Sequence, residues 1–253
     1  MVSHYIRRFS RILQKEGPVE VSKKSYDFLN KQFQSRLHTY KNQLTNHIYF
    51  DAPVAAYATI QIDPNNVEYL ISNKPKTPIR EPHDGGFAQI ADGEWPQEET
   101  ITRFDEYYIK ISFEQRFLNG KSWEKTAYYQ FLMQSGNHNK EEAISKLNGI
   151  DRLYNSISEQ GYEQGHSGAN HNGRYGYWEQ LEPFVVIGKE GEIYMWDGRH
   201  RFCIAQILEL EIPVHVVCRH KQWQRTRDYI HKNGIGKEHR YLRNHPDLQD
   251  VLN

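Results

Sequence analysis

The sequence predicts an α+β fold: a mixed sheet flanked by helices and preceded by a basic helical segment. Three observations predict it. Extended, β-prone runs stand at residues 48–72 and 183–197, while residues 102–161 carry helical spacing, so strands and helices occupy separate blocks. The stretch EIYMWDGRHRFCIAQILELEIPVHVVCR, residues 192–219, passes from strand to turn to helix to strand. Residues 1–45 set nine lysines and arginines against Glu16, Glu20 and Asp27 along two apolar stripes. We therefore divide the chain into a basic amphipathic segment, 1–45, and one α+β domain, 46–253, with a helical insertion at about 102–161.

Within the first segment, Gly17-Pro18 separates two helices. Tyr5, Phe9, Ile12 and Leu13 line one, and Tyr26, Leu29, Phe33 and Leu37 line the other. These stripes either dock on the rest of the fold or form a surface for an anionic membrane or a protein partner. HIYFDAPVAAYATIQI and VEYLI, parted by Asp63-Pro64-Asn65-Asn66, read as a hairpin or as two sequential strands. SNKPKTPIREPHDGG is a loop by composition, Phe87 to Ile90 a short strand, and the following ADGEWP an acidic turn with a packed indole.

From Thr102 to Gly161 three helices follow, the first stopped at Asn119-Gly120, the second opened by Ser122 and the third running from Lys140 to Gln160. GYEQGHSGANHNGRYGYWEQ then has neither period, and reads as a mobile loop or lid. Its His166 and His171 lack further ligands at a recognisable spacing, so no zinc site is read there. Pro183 to Ile187 is a strand joined by Gly188-Lys189-Glu190-Gly191 to the strand ending at Trp196. HKQWQRTRDYIHKN is helical and YLRNHPDLQDVLN a polar tail.

Lysine plus arginine equal aspartate plus glutamate at 32 each, which argues against whole-protein attraction to nucleic acid. A hydrophobic share of 38% and a mean hydropathy of -0.84 point to a modest core. Cys203 and Cys218, without CxxC spacing, read as packed thiols in a reducing, cytoplasmic setting. No continuous apolar run suggests a signal peptide or a membrane span.

The chemistry concentrates at Asp197-Gly198-Arg199-His200-Arg201. Helix N-termini leave backbone N–H groups unpaired and carry the positive end of the helix dipole, so this turn is suited to anions, phosphates above all. Arginine adds bidentate, charge-assisted donors. Asp197 can hold Mg²⁺ or take a proton from an attacking hydroxyl, and His200 can donate to a phosphate or a leaving oxygen. Arg219 and His220 close the following strand and join the same rim if that strand runs beside the first. Walker A and GxGxxG patterns are absent.

Residues 151–219, from DRLYNSISEQGYEQ through EPFVVIGKEGEIYMWDGRHRFCIAQILELEIPVHVV, resemble the ParB/sulfiredoxin-like fold. The resemblance covers a little over a quarter of the chain, and extends to uncharacterised ParB-like proteins associated with polysaccharide gene clusters. In sulfiredoxins the turn is Gly-Cys-His-Arg, with a nucleophilic cysteine and a His-Arg phosphate grip. Here Arg199 takes the cysteine position, which argues against sulfinic-acid repair, while His200 and Arg201 match the grip. ParB proteins bind CTP through a Gly-Glu-Arg-Arg-like turn and continue into a helix-turn-helix, for which too little sequence follows Arg219. The Asp-Gly-His-His-Arg turn of archaeal free-serine kinases is most similar.

The turn and that likeness together give a nucleotide site at Gly198, Arg199, His200 and Arg201, joined by Arg219 and His220 through the strand rim, with ATP or another nucleoside triphosphate and Mg²⁺ as cofactors. Asp197 is then the acid-base or metal-associated carboxylate. A second acid comes from an earlier segment, Glu94 or Asp92. The expectation is a phosphotransferase acting on a small hydroxylated metabolite or sugar. Its alternatives are a nucleotide-binding switch without turnover and, third, a DNA-binding or nuclease protein.

Overall fold

The computed structural model describes residues 22, 23, 26, 29, 30, 33–163 and 183–252. The break at Gly17-Pro18 and nearly all of the glycine-rich stretch, with His166 and His171, lie outside these residues. Seven strands form one mixed sheet: β1 (Thr59–Ile62), β2 (Tyr69–Ile71), β3 (Gln89–Ala91), β4 (Ile101–Arg103), β5 (Phe184–Ile187), β6 (Ile193–Asp197) and β7 (Ile212–His220). Their order is β1-β7-β5-β6-β2-β4, and β3 also pairs with β7. The helices are α1 (residues 33–49), α2 (Tyr108–Phe117), α3 (Ala127–Gln134), α4 (Lys140–Gln160), α5 (Arg199–Ile207) and α6 (Lys221–Asn233). The α+β class with a mixed sheet and flanking helices is therefore observed.

Alternation along the strands sends apolar side chains to both faces. Leu70, Val185, Met195, Val214 and Val216 share a core with α2, α3, α4 and α5. Ile71, Phe184, Val186, Trp196, Val217 and Cys218 pack on the other face, beneath Ile79, Phe87 and Trp95. That second cover is supplied by the turn-rich segment between β2 and β4. Both cysteines are buried and unpaired, and burial pushes the Cys203 thiol up to about 12. Among the described residues, no helix is long and apolar enough to cross a membrane.

Several expectations change. Of the two arrangements expected at 48–72, sequential strands are observed and a hairpin is not: β1 pairs antiparallel with β7, and β2 lies on the far side of the sheet between β6 and β4. The helix expected to end by residue 45 continues to 49, because its side chains find partners in the loop at 82–88. Thr102 and Arg103, read as the start of a helical block, lie in β4 instead, since pairing with Tyr69 and Leu70 overrides local propensity.

The polar tail is part of the core. Leu248 is fully buried, and Asp247 accepts hydrogen bonds from Arg219 Nε (2.8 Å) and Trp223 Nε1 (2.8 Å). Arg227 Nη1 stands 3.4 Å from the same carboxylate and also pairs with Asp250. Burial alone would raise the Asp247 carboxyl, but the two guanidiniums outweigh it and hold it below the usual carboxylate range. Removing one member of such a cluster leaves buried charge uncompensated, so Asp247→Ala should cost about 3–5 kcal/mol. Urea unfolding followed by tryptophan fluorescence measures this, and a loss near zero would contradict it.

Candidate functional site

Three residues of β2 and five of β6 set the site. They pair in parallel, Tyr69 opposite Tyr194 and Leu70 opposite Met195, so both chains leave the sheet at the same edge. Carboxyl ends of parallel strands are where open α/β sheets place ligands. Asp197 closes β6, and Gly198 turns the chain into α5 with φ +87°, a left-handed conformation that costs glycine nothing. The loop leaving β2 folds back over this edge and brings Lys74 and Glu81 to it.

Asp197 uses both oxygens. Oδ1 accepts the Gly198 N–H at 2.9 Å and Oδ2 accepts Lys74 Nζ at 2.8 Å. Lys74 also reaches Glu81, 3.3 Å from Oε1, and lies 4.8 Å from the centre of the Trp196 ring. Glu81 Oε2 accepts the Trp196 indole N–H at 3.1 Å. One ammonium thus joins two carboxylates over an indole, yet the Asp197 side chain remains 43% exposed. Its surroundings act first to raise the Asp197 carboxyl by desolvation. Lys74, the Gly198 amide and Arg199 together outweigh that and hold it below the usual carboxylate range.

The other turn residues divide. Arg199 donates to the Tyr107 hydroxyl at 3.2 Å, beside the turn. His200 points into the helical layer, its Nε2 2.9 Å from the Tyr128 hydroxyl and its ring stacked on Phe113. Burial raises both Tyr107 and Tyr128, so each phenol keeps its proton. Arg201 is buried at 7% exposure.

The remaining expected residues stand elsewhere. Phe184 of β5 lies opposite both Asp197 and His215, whereas Ile187 lies opposite both Ile193 and Arg219. β7 therefore runs antiparallel to β6 with β5 between them, and its end is at the opposite edge of the sheet. Arg219 is consumed there by Asp247; His220 accepts the Gln222 N–H and contacts the Gly93 carbonyl at 2.8 Å. Glu94 pairs with Lys189 and Asp92 with Lys221 on that same distant edge. Glu81, not Glu94 or Asp92, is the second acid next to Asp197. Neither Glu81 nor Lys74 carried a local motif, and only the parallel pairing of β2 with β6 brings them in.

Among the described residues, no three His, Cys, Asp or Glu side chains cluster as a metal site. Asp197 and Glu81 meet around the Lys74 ammonium, so a resident divalent ion would have to displace it. Asp197 and Glu81 are the carboxylates that would hold such an ion, its remaining ligands coming from outside the protein.

Replacing Lys74 by methionine removes the largest influence lowering Asp197 and leaves desolvation in place, so the carboxyl should titrate higher. Because the wild-type folded value lies below the unfolded one, the associated stability is complete above about pH 3.9. It fades as pH falls through the folded value. The gap in urea midpoint between wild type and Lys74→Met should narrow over that acidic window; a gap that widens there contradicts the assignment. Carboxyl NMR titration locates the shift directly.

Compared with known proteins, this chain matches no family model, no curated protein and no solved structure at a significant level.

Proposed function

We propose that the chain is a nucleotide-dependent phosphotransferase acting on a small hydroxylated acceptor. The observation that carries this reading is the Lys74–Asp197 ion pair at the carboxyl ends of β2 and β6, beside the first turn of α5. Phosphoryl transfer asks a protein mainly for positioning and charge neutralisation. First-turn amides, the Arg199 guanidinium and Lys74 supply donors for phosphate oxygens. Mg²⁺ carried by the nucleotide would neutralise phosphate charge, with Asp197 or Glu81 available to it.

Asp197, ionised at neutral pH, orients the acceptor hydroxyl. The acceptor oxygen forms a bond to the terminal phosphorus as the bond to the bridging oxygen breaks. The hydroxyl proton passes to the carboxylate, and the nucleoside diphosphate leaves with the bond's electrons. The ParB/sulfiredoxin-like likeness of residues 151–219 agrees with this placement of a phosphate at the turn. Buried, unpaired cysteines agree with a reducing cytoplasmic setting.

A second reading, a nucleotide-binding switch without turnover, draws on His200. The Tyr128 hydroxyl and Phe113 ring hold that imidazole in the helical layer, away from proton transfer at the turn.

Incubation with Mg²⁺ and each nucleoside triphosphate, with and without pooled hydroxylated metabolites, separates the two through thermal shift and diphosphate release. Asp197→Asn should lower acceptor-dependent turnover by roughly 10²–10⁴-fold while nucleotide still raises the melting temperature. Arg199→Ala should weaken the nucleotide shift itself. Stabilisation without turnover favours the switch, and no response to any nucleotide overturns both readings.

A further inference from the structure

The helix α1 is mounted with its polar face inward. Ser35 Oγ donates to the Pro82 carbonyl, Asn42 Nδ2 to those of Gly85 and Phe87, and Asn46 Nδ2 to that of Ala88, at 3.3, 3.3, 2.9 and 2.8 Å. The approach is close enough that a Cβ on Gly85 would lie 2.4 Å from that of His38. The opposite face, which an ordinary surface helix would bury, points away from the protein. Tyr26, Leu29, Phe33, Leu37, Tyr40, Leu44 and Ile48 follow steps of three, four and four residues and are 53% to 72% exposed. At helical spacing these steps fall on one face of about 100°. At side-chain areas like these, on the order of 900 Å² of apolar-rich surface faces solvent, far beyond the patch that a soluble monomer leaves without purpose.

We propose that this stripe seats the protein on an anionic lipid surface. Charge decides among occupants. Residues 26–49, which carry the stripe, contain Lys31, Arg36, Lys41, His38 and His47 against the single acid Asp27. A second copy pairing through the same stripe would set cations against cations, a like-charge cost that an interface avoids. An anionic bilayer complements them instead. The tyrosines suit the interface, where ring and hydroxyl find apolar and wet surroundings together.

A cleft of about 360 Å³ opens on one flank of α1, lined by His38, Lys41, Asn42, Arg80 and Gln89. Asp92 at its margin is already paired with Lys221. Lys41 and Arg80 have no carboxylate partner among the described residues, so the cleft offers cationic donors to a headgroup phosphate beside the embedded stripe. Attachment is peripheral: the apolar face lies in the headgroup boundary with the helix axis in the membrane plane.

Co-sedimentation of the full chain with phosphatidylcholine vesicles, with and without phosphatidylglycerol, tests this. Binding should require phosphatidylglycerol and weaken as salt shortens the Debye length from about 10 Å at 0.1 M to about 3 Å at 1 M. Leu37→Glu should reduce vesicle affinity by about tenfold or more. Its side chain is exposed, so the thermal midpoint should hold. Lys41→Gln with Arg80→Gln should selectively lose the phosphatidylglycerol dependence. Equal binding to neutral vesicles overturns the charge argument, and no binding overturns the proposal. So does a dimer, seen by light scattering, that Leu37→Glu dissociates in the absence of vesicle binding, because the stripe then belongs to a second copy.

Discussion

The centre of the sheet is apolar on both faces, and the rest of the structure answers that constraint. β5 buries all four of its residues, and β7 buries every residue except Pro213. Two covers are then required. Helices α2 to α5 provide one. The other, made of turns and short strands between β2 and β4, cannot satisfy its own polar groups as a helix does. Trp196 shows the consequence. Its indole fills the second core, so its N–H needs an acceptor, which Glu81 supplies. A carboxylate there needs a cation, which Lys74 supplies, and the same cation reaches Asp197. The candidate site thus follows from the way the sheet is covered.

Two charge clusters at opposite edges of the sheet have similar composition and different character. Around Asp247, two arginines and an indole N–H close over a carboxylate whose side chain is 1% exposed, so it is sealed from a ligand in solvent. Around Asp197, a single lysine serves two carboxylates and the aspartate stays accessible. A group entering there meets an accessible carboxylate and the first turn of α5 rather than a sealed ion cluster. Burial, rather than residue type, separates a fastening from a site.

Much of the fold was legible. The succession from β5 through the Gly188 to Gly191 turn, β6, Asp197-Gly198, α5 and β7 was readable because each step has a local cause: alternation, a turn pair, helical spacing or a proline. Asp197, Gly198 and Arg199 were legible for the same reason. Pairing partners were not. Whether Arg219 shares an edge with Asp197 depends on β5 lying between β6 and β7, a non-local choice that leaves no trace in either strand. Lys74 and Glu81 were hidden in a loop that composition marks only as a loop, and Asp247 in a tail whose polarity disguised an interior role.

The stripe on α1 was visible in the sequence, but not which way it faces. Amphipathic periodicity leads one to bury the apolar side. Here the loop beneath the helix decides otherwise. Segment 82–88 lies outside the regular sheet ladder and presents the carbonyls of Gly85, Phe87 and Ala88 to α1, which need donors if they are to be covered. Leucine and phenylalanine cannot donate. Serine and asparagine can, and their short side chains allow the helix to approach closely. Satisfying those carbonyls fixes the polar face inward and leaves the apolar face outward. The demand that assembles Trp196, Glu81 and Lys74 into a site therefore also turns α1 toward whatever surface the protein meets.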